Sequence, residues 1–279
     1  MSIVAAFCSD SNYCPLLETA FYSFAIFNPN SKVYIIKYDD FQVDKLAKIA
    51  ETYSIVLETH LLVDEQLPAV GRFSKAMYGR LYLNNIIKES RFIYIDCDVV
   101  ICGSLESVFS CKKANTELEM VEEEDSFLTN KRKNELNINC YFNSGVIIFN
   151  KINEINVLLN KTIQYLNEHA ENLTYPDQDA INVVFAGKIK KLSSVYNYMG
   201  CSKSPVHPKI VHFAHFKPWG YLHKSFYFHE YTSIFQKNDF HLIEFSPKIR
   251  MSQKLIALVK IVLIKFKVFG VMQRIYWKL

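Results

Sequence analysis

The segment Arg91-Phe92-Ile93-Tyr94-Ile95-Asp96-Cys97-Asp98-Val99-Val100 decides the fold that this sequence predicts. Its β-branched and aromatic run over residues 92–95 is typical of a strand that is buried on both faces of a sheet. The strand stops at two aspartates with one residue between them. Because side chains alternate along a strand, Asp96 and Asp98 are expected to point the same way. They do so at the carboxyl end of the strand, where open α/β sheets bind ligands.

The chemistry of this Asp-x-Asp pair suits a divalent cation. Carboxylate oxygens are hard ligands, and two of them leave coordination positions open for the phosphates of a substrate. The pair also fits a second interpretation, in which two solvated carboxylates occupy an ordinary strand-to-loop turn. The motif alone does not distinguish the metal site from the solvated turn, and other parts of the sequence are needed to do so.

Strands and helices alternate around this segment, which predicts an α/β fold with a mixed, mostly parallel sheet between helices. Predicted strands cover residues 3–8, 33–37, 54–57, 92–95, 146–149 and 209–213. Helical spacing of apolar residues predicts helices from about residue 16 to 24 and over 43–52, 74–87, 155–168 and 174–185.

Composition sets the class of protein. At 279 residues with 50% hydrophobic and 14% aromatic residues, the chain is large enough for a sizeable core and is not a disordered protein. Seven cysteines without C-x-x-C spacing favour a reducing compartment over a disulfide framework or a zinc site. No basic leader segment and no run of ~18 apolar residues is present, so we expect a cytoplasmic protein.

Charge divides the chain into two predicted domains, a catalytic domain over 1–246 and a tail over 247–279. Residues 246–279 hold eight Lys/Arg and no acid, whereas the remainder has a net charge of −4. In the tail, Lys260, Lys267 and Arg274 recur every seventh residue among dense apolar residues, which predicts a basic amphipathic helix. Such a helix is expected to lie on an anionic membrane surface. The alternative is a helix that docks on the catalytic domain or on a dimer partner.

Polar residues also follow other predicted strands or begin helices. Asp10 and Asn12 follow the first strand and are expected near its ligand edge, although turn and capping chemistry explains them as well. Capping also explains one acid of Asp177-Gln178-Asp179 at a helix N-terminus, but it explains all three residues poorly. Six acids within residues 117–125, followed by Lys131-Arg132-Lys133, predict a solvated, mobile loop.

Four further residues supply chemistry that suits a cation and phosphate site. His212 ends the last predicted strand and offers an imidazole that can complete a cation site begun by Asp96 and Asp98, although a lone histidine is more often a packed or surface residue. Lys217 follows it five residues later and can meet a phosphate as a point charge. Arg80 lies on the predicted helix that leads to the acidic strand. Asn143 offers an amide for sugar hydroxyls, next to a glycine that permits close backbone approach.

With these segments in this order, residues 1 to about 220 resemble the retaining glycosyltransferases of family 8, and among them the bacterial galactosyl- and glucosyltransferases that extend lipooligosaccharide or other surface glycans. The motifs that carry the resemblance are Ser9-Asp10-Ser11-Asn12-Tyr13, Tyr78-Gly79-Arg80-Leu81, Tyr94-Ile95-Asp96-Cys97-Asp98, Tyr141-Phe142-Asn143-Ser144-Gly145-Val146, Asp177-Gln178-Asp179-Ala180-Ile181-Asn182 and His212…Lys217-Pro218-Trp219. The family often has glycine within the last motif, where this chain has Ala214-His215-Phe216.

The resemblance implies a GT-A fold and a set of residue roles. Asp96, Asp98 and His212 would hold Mn²⁺ or Mg²⁺, which neutralises the leaving UDP. The donor UDP-hexose would be bound by a larger group of residues: Asp10, Asn12 and Tyr13 at the uridine, Cys97 between the metal ligands, Lys217 at a phosphate, and Arg80, Asn143 and Asp177 at the sugar.

The resemblance also implies a reaction. Gln178 would lie under the anomeric carbon on the face opposite UDP. Its neutral amide is a poor nucleophile, so we expect front-side attack, with Asp179 as the reserve nucleophile for a double displacement. Glucose or galactose would pass to an oligosaccharide or lipid-linked glycan acceptor. One rival interpretation is a nonenzymatic UDP-sugar- or glycan-binding domain of the same fold. The other is a nucleotidyltransferase, but the motifs around Gln178 and His212 have no role in such an enzyme.

Overall fold

The fold is described from a computed structural model of the chain. The structure describes residues 3–62, 68, 74–110, 115–151, 154–199 and 207–214. Lys217 and the tail over 247–279 lie outside the described residues, so their predicted roles stay predictions.

Nine strands and seven α-helices are defined in the described part of the chain. The strands are β1 Val4–Ser9, β2 Lys32–Lys37, β3 Val56–Leu61, β4 Arg91–Ile95, β5 Val99–Ile101, β6 Leu118–Glu122, β7 Phe142–Asn150, β8 Ile189–Lys191 and β9 Ile210–His212. The helices are α1 Cys14–Phe27, α2 Asp44–Thr52, α3 Leu83–Ile86, α4 Glu106–Ser110, α5 Phe127–Leu136, α6 Ile155–His169 and α7 Pro176–Val184. Short 3₁₀ helices cover Ser11–Tyr13, Lys75–Leu81, Ala170–Asn172 and Ser194–Tyr196.

Seven strands form one sheet in the order β3-β2-β1-β4-β7-β6-β8. Neighbours are parallel from β3 to β4 and again between β6 and β8, whereas β7 is antiparallel to β4 and β6. The prediction of a mixed, mostly parallel sheet is confirmed. Strands β5 and β9 form a separate antiparallel pair, and β5 follows β4 after a turn of three residues.

Apolar side chains cover both faces of the large sheet. On one face, Phe7 of β1 packs edge-on against Phe21 and Phe24 of α1, with ring centroids 6.4 and 6.1 Å apart. On the other face, Phe92 of β4 and Phe149 of β7 stack at 4.7 Å within a cluster that includes residues of α6 and α7. Burial on both faces explains why β1, β4 and β7 are nearly continuous apolar runs.

The third predicted strand and the helix predicted over 74–87 differ from the structure. The third strand begins at Val56 and ends at Leu61, later than the expected 54–57. The single helix expected over 74–87 is a 3₁₀ helix followed by a four-residue α-helix. Gly79 lies at the point of closest approach to β1, since a Cβ there would come 2.8 Å from the sulfur of Cys8. This tight contact with β1, together with the low helix propensity of glycine, explains the irregular segment.

The acidic stretch over 117–125 is the clearest correction. The prediction of a solvated loop is wrong for residues 118–122, which form β6, an interior strand between β7 and β8, and only the following residues 123–125 lie in a loop, where Glu124 and Asp125 are exposed. Glu119 is 2% exposed and accepts hydrogen bonds from Arg91 at 2.7 Å and from Asn150 at 3.1 Å. Cationic and amide partners on neighbouring elements therefore stabilise a charge that local sequence alone assigns to solvent. Residues 131–133 lie on α5, not in a loop.

Within the described ranges, none of the helices has the length and apolar character needed to cross a membrane.

Candidate active site

Two aspartates and a histidine converge beyond the carboxyl end of β4. Asp96 and Asp98 lie in the turn between β4 and β5, directly after the carboxyl end of β4 as expected. The β5–β9 pair brings the histidine to them, because His212 pairs with Val99 and the N–H of Phe213 donates to the main-chain oxygen of Asp98 at 2.9 Å. Nε2 of His212 lies 3.3 Å from Oδ1 of Asp98 and 3.8 Å from Oδ2 of Asp96.

The donor set of this cluster fits a divalent metal ion. One ligand atom from each of the three residues lies within 4.8 Å of the others, and two are carboxylate oxygens while the third is an imidazole nitrogen. Burial raises the pKa of Asp96; the Arg80 guanidinium opposes this rise, whereas Asp98 adds to it. Two adjacent, largely buried carboxylates repel each other unless a cation lies between them.

A glycine of β7 makes room for this cluster. A Cβ on Gly145 would come 2.1 Å from Cε1 of His212 and 2.9 Å from Oδ2 of Asp96. Its carbonyl accepts the N–H of Asp96 at 2.8 Å, so β7 also holds the Asp-x-Asp turn through its main chain. The close backbone approach expected at this glycine is confirmed, and its cause is the contact with two of the three candidate ligands.

Arg80 connects the cluster to the start of α7. Its guanidinium donates to Oδ1 of Asp96 at 2.8 Å and lies 3.1 Å from Oδ2 of Asp177. It also donates to the main-chain oxygen and the hydroxyl of Ser144, and it lies 4.6 Å above the ring of Tyr94. Arg80 is 4% exposed. The residue predicted to hold the donor sugar therefore orients two acidic side chains.

Gln178 has partners at both ends of its amide. Oε1 accepts from the N–H of Ser144 at 3.0 Å and from Nδ2 of Asn143 at 3.1 Å. Nε2 donates to Oε1 of Glu123 at 3.0 Å, and the same oxygen accepts from Asn143 at 3.3 Å. Burial raises the pKa of Glu123, and the two amide donors oppose the rise. The structure thus brings Asn143, Gln178 and a carboxylate that the sequence did not single out into one network.

Asp179 is enclosed, although it adjoins Gln178 in sequence. It is 0% exposed. Its oxygens accept from the guanidinium of Arg132, from the hydroxyl of Tyr141 at 2.5 Å and from the N–H groups of Thr174 and Tyr175 at 3.0 and 2.9 Å. Four donors and complete burial argue against the reserve-nucleophile role, because a nucleophile needs an accessible lone pair.

Asp10 follows β1 and caps the adjacent 3₁₀ helix. Its Oδ1 accepts the N–H of Tyr13 at 3.0 Å and its Oδ2 accepts the hydroxyl of Ser74, so the capping alternative describes Asp10 well. Asn12 is exposed and Tyr13 is half-buried against the core. These contacts leave the predicted uridine roles of the three residues as predictions.

Cys97 faces the protein interior. Its thiol donates to the main-chain oxygen of Cys8 at 3.2 Å, and burial raises its pKa well above the usual value. The side chain therefore stays protonated and fills space between β4 and β1. A donor-binding role for Cys97 is confined to its main chain.

Four residues of the site were not predicted from the sequence: Tyr94, Glu123, Ser144 and Asn197. Tyr94 and Ser144 stand inside motifs already singled out, so their spacing was a usable signal. Glu123 was missed because its stretch was predicted to be a solvated loop, although the apolar residues Leu118, Met120 and Val121 stand between its acids. Asn197 has no local signal, since it ends a short 3₁₀ helix and reaches His212 only through tertiary structure.

Comparison with known proteins decides the family. Residues 4–223 match the sequence model described as Glycosyl transferase family 8, which is more than half of the chain. The chain belongs to glycosyl transferase family 8. The matched range contains every motif that carried the resemblance.

Family 8 relatives share modest identity with the chain. Glycosyltransferase GlyB of Streptococcus pneumoniae serotype 4 is 28% identical over 240 residues, which cover 76% of this chain and 56% of GlyB. The chain thus spans about half the length of that relative. A lipopolysaccharide 1,2-glucosyltransferase of Escherichia coli K12 is 27% identical over 214 residues, covering 72% of this chain and 63% of the relative.

The crystal structure of galactosyltransferase LgtC with donor and acceptor sugar analogs superposes on this family 8 chain with a TM-score of 0.67 at 18% identity. The match covers 90% of this chain and 100% of LgtC. At this identity the likeness shows the fold alone, and it confirms the expected GT-A fold.

Proposed function

We propose that this chain is a metal-dependent, anomer-retaining hexosyltransferase that moves glucose or galactose from a UDP-sugar to a glycan acceptor. The observation that carries the proposal is the convergence of Asp96, Asp98 and His212 at one edge of the sheet of a family 8 chain. Arg80 connects this cluster directly to Asp177, next to Gln178. A cation cluster beside amides and carboxylates suits a substrate that has both a pyrophosphate and a sugar.

Asp96, Asp98 and His212 would hold Mn²⁺ or Mg²⁺, which supplies a Lewis acid for the pyrophosphate of the leaving UDP. The chain's own residues do the rest. Arg80 keeps Asp96 and Asp177 in place. Asp177 and Asn143 hold sugar hydroxyls in this proposal, Asp10, Asn12 and Tyr13 contact the uridine, and Lys217 meets a phosphate.

Retention of the anomeric configuration follows from front-side attack in this proposal. Gln178 is a neutral amide whose Oε1 already accepts from Ser144 and Asn143, so its nucleophilicity is low. Its dipole is suited to stabilising positive charge on the opening sugar ring, without forming a bond to it. Since Asp179 is enclosed by four donors, its carboxylate is not available as a reserve nucleophile in this proposal.

The acceptor class and the location are inferred from relatives. One relative is named a lipopolysaccharide 1,2-glucosyltransferase and a structural neighbour is named a galactosyltransferase, which supports a role in lipopolysaccharide or other surface glycan synthesis. We place the enzyme on the inner face of the cytoplasmic membrane, where the basic tail over 247–279 would bind anionic lipid.

The decisive experiment incubates the protein with UDP-glucose and UDP-galactose in the presence of Mn²⁺ and a panel of lipooligosaccharide acceptors. We expect UDP release, and we expect NMR of the product to show the anomeric configuration of the donor. An inverted product would contradict retention. Binding of the UDP-sugar without any UDP release, with water or acceptor, would favour the nonenzymatic binding domain.

A separate experiment tests the tail. Truncation before Pro247 should abolish binding to vesicles that contain anionic lipid and should leave UDP-sugar hydrolysis unchanged. If the truncated protein unfolds, or if it binds the vesicles as before, the tail is structural and the membrane proposal is wrong.

A further inference from the structure

A chain of hydrogen-bonded side chains extends from His212 away from the candidate metal ligands. Nδ1 of His212 lies 2.9 Å from Oδ1 of Asn197. Nδ2 of Asn197 donates to Oδ1 of Asn143 at 2.8 Å, and Nδ2 of Asn143 donates to Oε1 of Gln178. This series of hydrogen bonds ends at the carboxylate of Glu123, which accepts from both Asn143 and Gln178. His212 of the candidate metal cluster and the predicted catalytic amide of Gln178 thus belong to one network.

A main-chain amide determines which atom donates and which accepts in every hydrogen bond of this series. The N–H of Gly145 donates to Asn143 at 3.0 Å, so the accepting atom of Asn143 has to be its oxygen. The atom of Asn197 that meets this oxygen has to be its NH₂ group, and its other end is then the oxygen. That oxygen faces Nδ1 of His212, which therefore has to carry a proton.

The consequence is a defined tautomer of the imidazole. With the proton on Nδ1, the neutral ring has its lone pair on Nε2, the nitrogen that lies 3.3 Å from Asp98. This is the form that a metal ligand requires, and hydrogen bonds of this kind orient metal-binding histidines.

The main chain places Asn197 firmly beside the histidine. The N–H of Tyr198 donates to Ile210 at 2.9 Å, and the N–H of His212 donates to Tyr198 at 2.8 Å. The segment that follows Asn197 is therefore bonded to β9 like an additional strand. Asn197 is 1% exposed, so water does not compete for its amide.

We propose that Asn197 is a positioning residue that holds His212 in the Nδ1–H tautomer and, through Asn143, keeps the metal cluster in register with Gln178. This inference rests on the metal-dependent part of the proposed function. Asn197 has two separable tasks, since its oxygen serves His212 and its NH₂ group serves Asn143.

Two substitutions separate these tasks. Asn197→Leu removes both hydrogen bonds and keeps the branching and the number of side-chain heavy atoms. Asn197→Asp keeps an acceptor for His212 and removes the donor to Asn143. Asn28→Ala is the matched control, because Asn28 is also a buried asparagine with hydrogen bonds to main-chain groups, but its side chain bonds to Phe24 of α1 and to Leu105 and not to a candidate ligand. Unfolding transitions of all three variants identify any that do not fold.

The first measurement uses the wild-type protein without metal. Two-bond ¹H–¹⁵N spectra of ¹⁵N-histidine-labelled protein in alkaline buffer should show His212 with its proton on Nδ1, the signals being assigned by comparison with His212→Gln. A proton on Nε2 would overturn the proposal, and this result does not depend on the folding of any variant at Asn197.

The second measurement is the affinity for Mn²⁺, which is determined from the electron paramagnetic resonance signal of the free ion. We expect Asn197→Leu to weaken Mn²⁺ binding about 10–100-fold and to lose the single tautomer. Asn197→Asp should retain the tautomer and the affinity but lower kcat, and Asn28→Ala should match the wild type. Unchanged affinity and tautomer in a folded Asn197→Leu protein would overturn the proposal. If these shifts occur in a protein that never releases UDP, the proposed transfer reaction fails and the role of Asn197 stands.

Discussion

Two regions of the molecule enclose carboxylates in opposite ways. At the start of α7, the carboxylate of Asp179 accepts from Arg132, Tyr141 and two main-chain N–H groups. Beyond β4, Arg80 and Tyr94 donate to Oδ1 of Asp96, whereas its Oδ2 faces a second carboxylate and Nε2 of His212 at 3.8 Å, a distance too long for a hydrogen bond.

The difference separates an acid that stabilises the fold from one that has an oxygen available for a ligand. A carboxylate whose charge is matched by donors within the protein contributes to the fold and has little left for a ligand. Acids that face each other at close range raise the free energy of the folded state until a cation joins them. The predictions below test this contrast, beginning with the largest expected effect.

Asp98→Asn removes one charge from the metal cluster. Turnover with a UDP-hexose and Mn²⁺ should fall about 10³-fold, since a metal that neutralises the leaving group contributes several kcal/mol to the transition state. The unfolding transition should stay or rise, because a like-charge repulsion is lost. Glu171→Gln, an exposed acid, is the control and should change neither quantity. Activity that survives Asp98→Asn or chelation by EDTA would rule out the metal assignment.

Asp179→Ala removes the buried one of the two carboxylate partners of Arg132; the other, Glu135, is 42% exposed. The free energy of unfolding should fall by about 3–5 kcal/mol, the usual cost of breaking a buried ion pair. Denaturant titration measures this loss, and Mn²⁺ affinity of the remaining folded protein should be unchanged. Tyr141→Phe deletes only one donor and should cost about 1.5–3 kcal/mol. A glycosyl adduct trapped on Asp179 in the wild-type enzyme would reverse the contrast between the two regions.

Gly145→Ala tests the packing of the metal cluster against a matched glycine. The new methyl group would overlap the His212 ring and crowd Asp96, so Mn²⁺ affinity should fall at least ~10-fold. Gly103→Ala would meet only the side chain of Lys209, which can move aside, and should bind Mn²⁺ normally. Equal affinities in the two variants would mean that β7 does not shape the cation site.

Glu123→Gln tests a carboxylate between the two extremes, since Glu123 accepts from two neutral amides. Burial raises its pKa, so the folded protein binds a proton more readily than the unfolded chain, and ionisation lowers stability as pH rises through the folded-state pKa. The amide variant should therefore be more stable than the wild type at neutral pH, by roughly 1 kcal/mol or less. Thermal melts should show this gain disappearing below the ordinary glutamate pKa of about 4.5. A gain that persists at acid pH would mean that charge is not its cause.

Much of this molecule follows from local sequence. The runs that form β1, β4 and β7 are apolar because both faces of the sheet are covered, and their order with α1, α2 and α6 specifies an α/β fold. The candidate metal cluster could also be predicted from the sequence. Two aspartates follow one buried strand, a histidine ends another strand, and such residues meet at one sheet edge.

What local sequence determined, then, was which residues have the chemistry: the Asp-x-Asp pair, His212 and the amide of Gln178. Tertiary structure alone decided what each of them does. Glu123 and Asp179 are both acids in polar stretches, yet one joins the Gln178 network and the other stabilises the start of α7, because partners from distant segments surround each one differently. Burial makes these partners decisive: a carboxylate removed from water takes its role from the donors within hydrogen-bond distance, and only the folded chain brings those donors together.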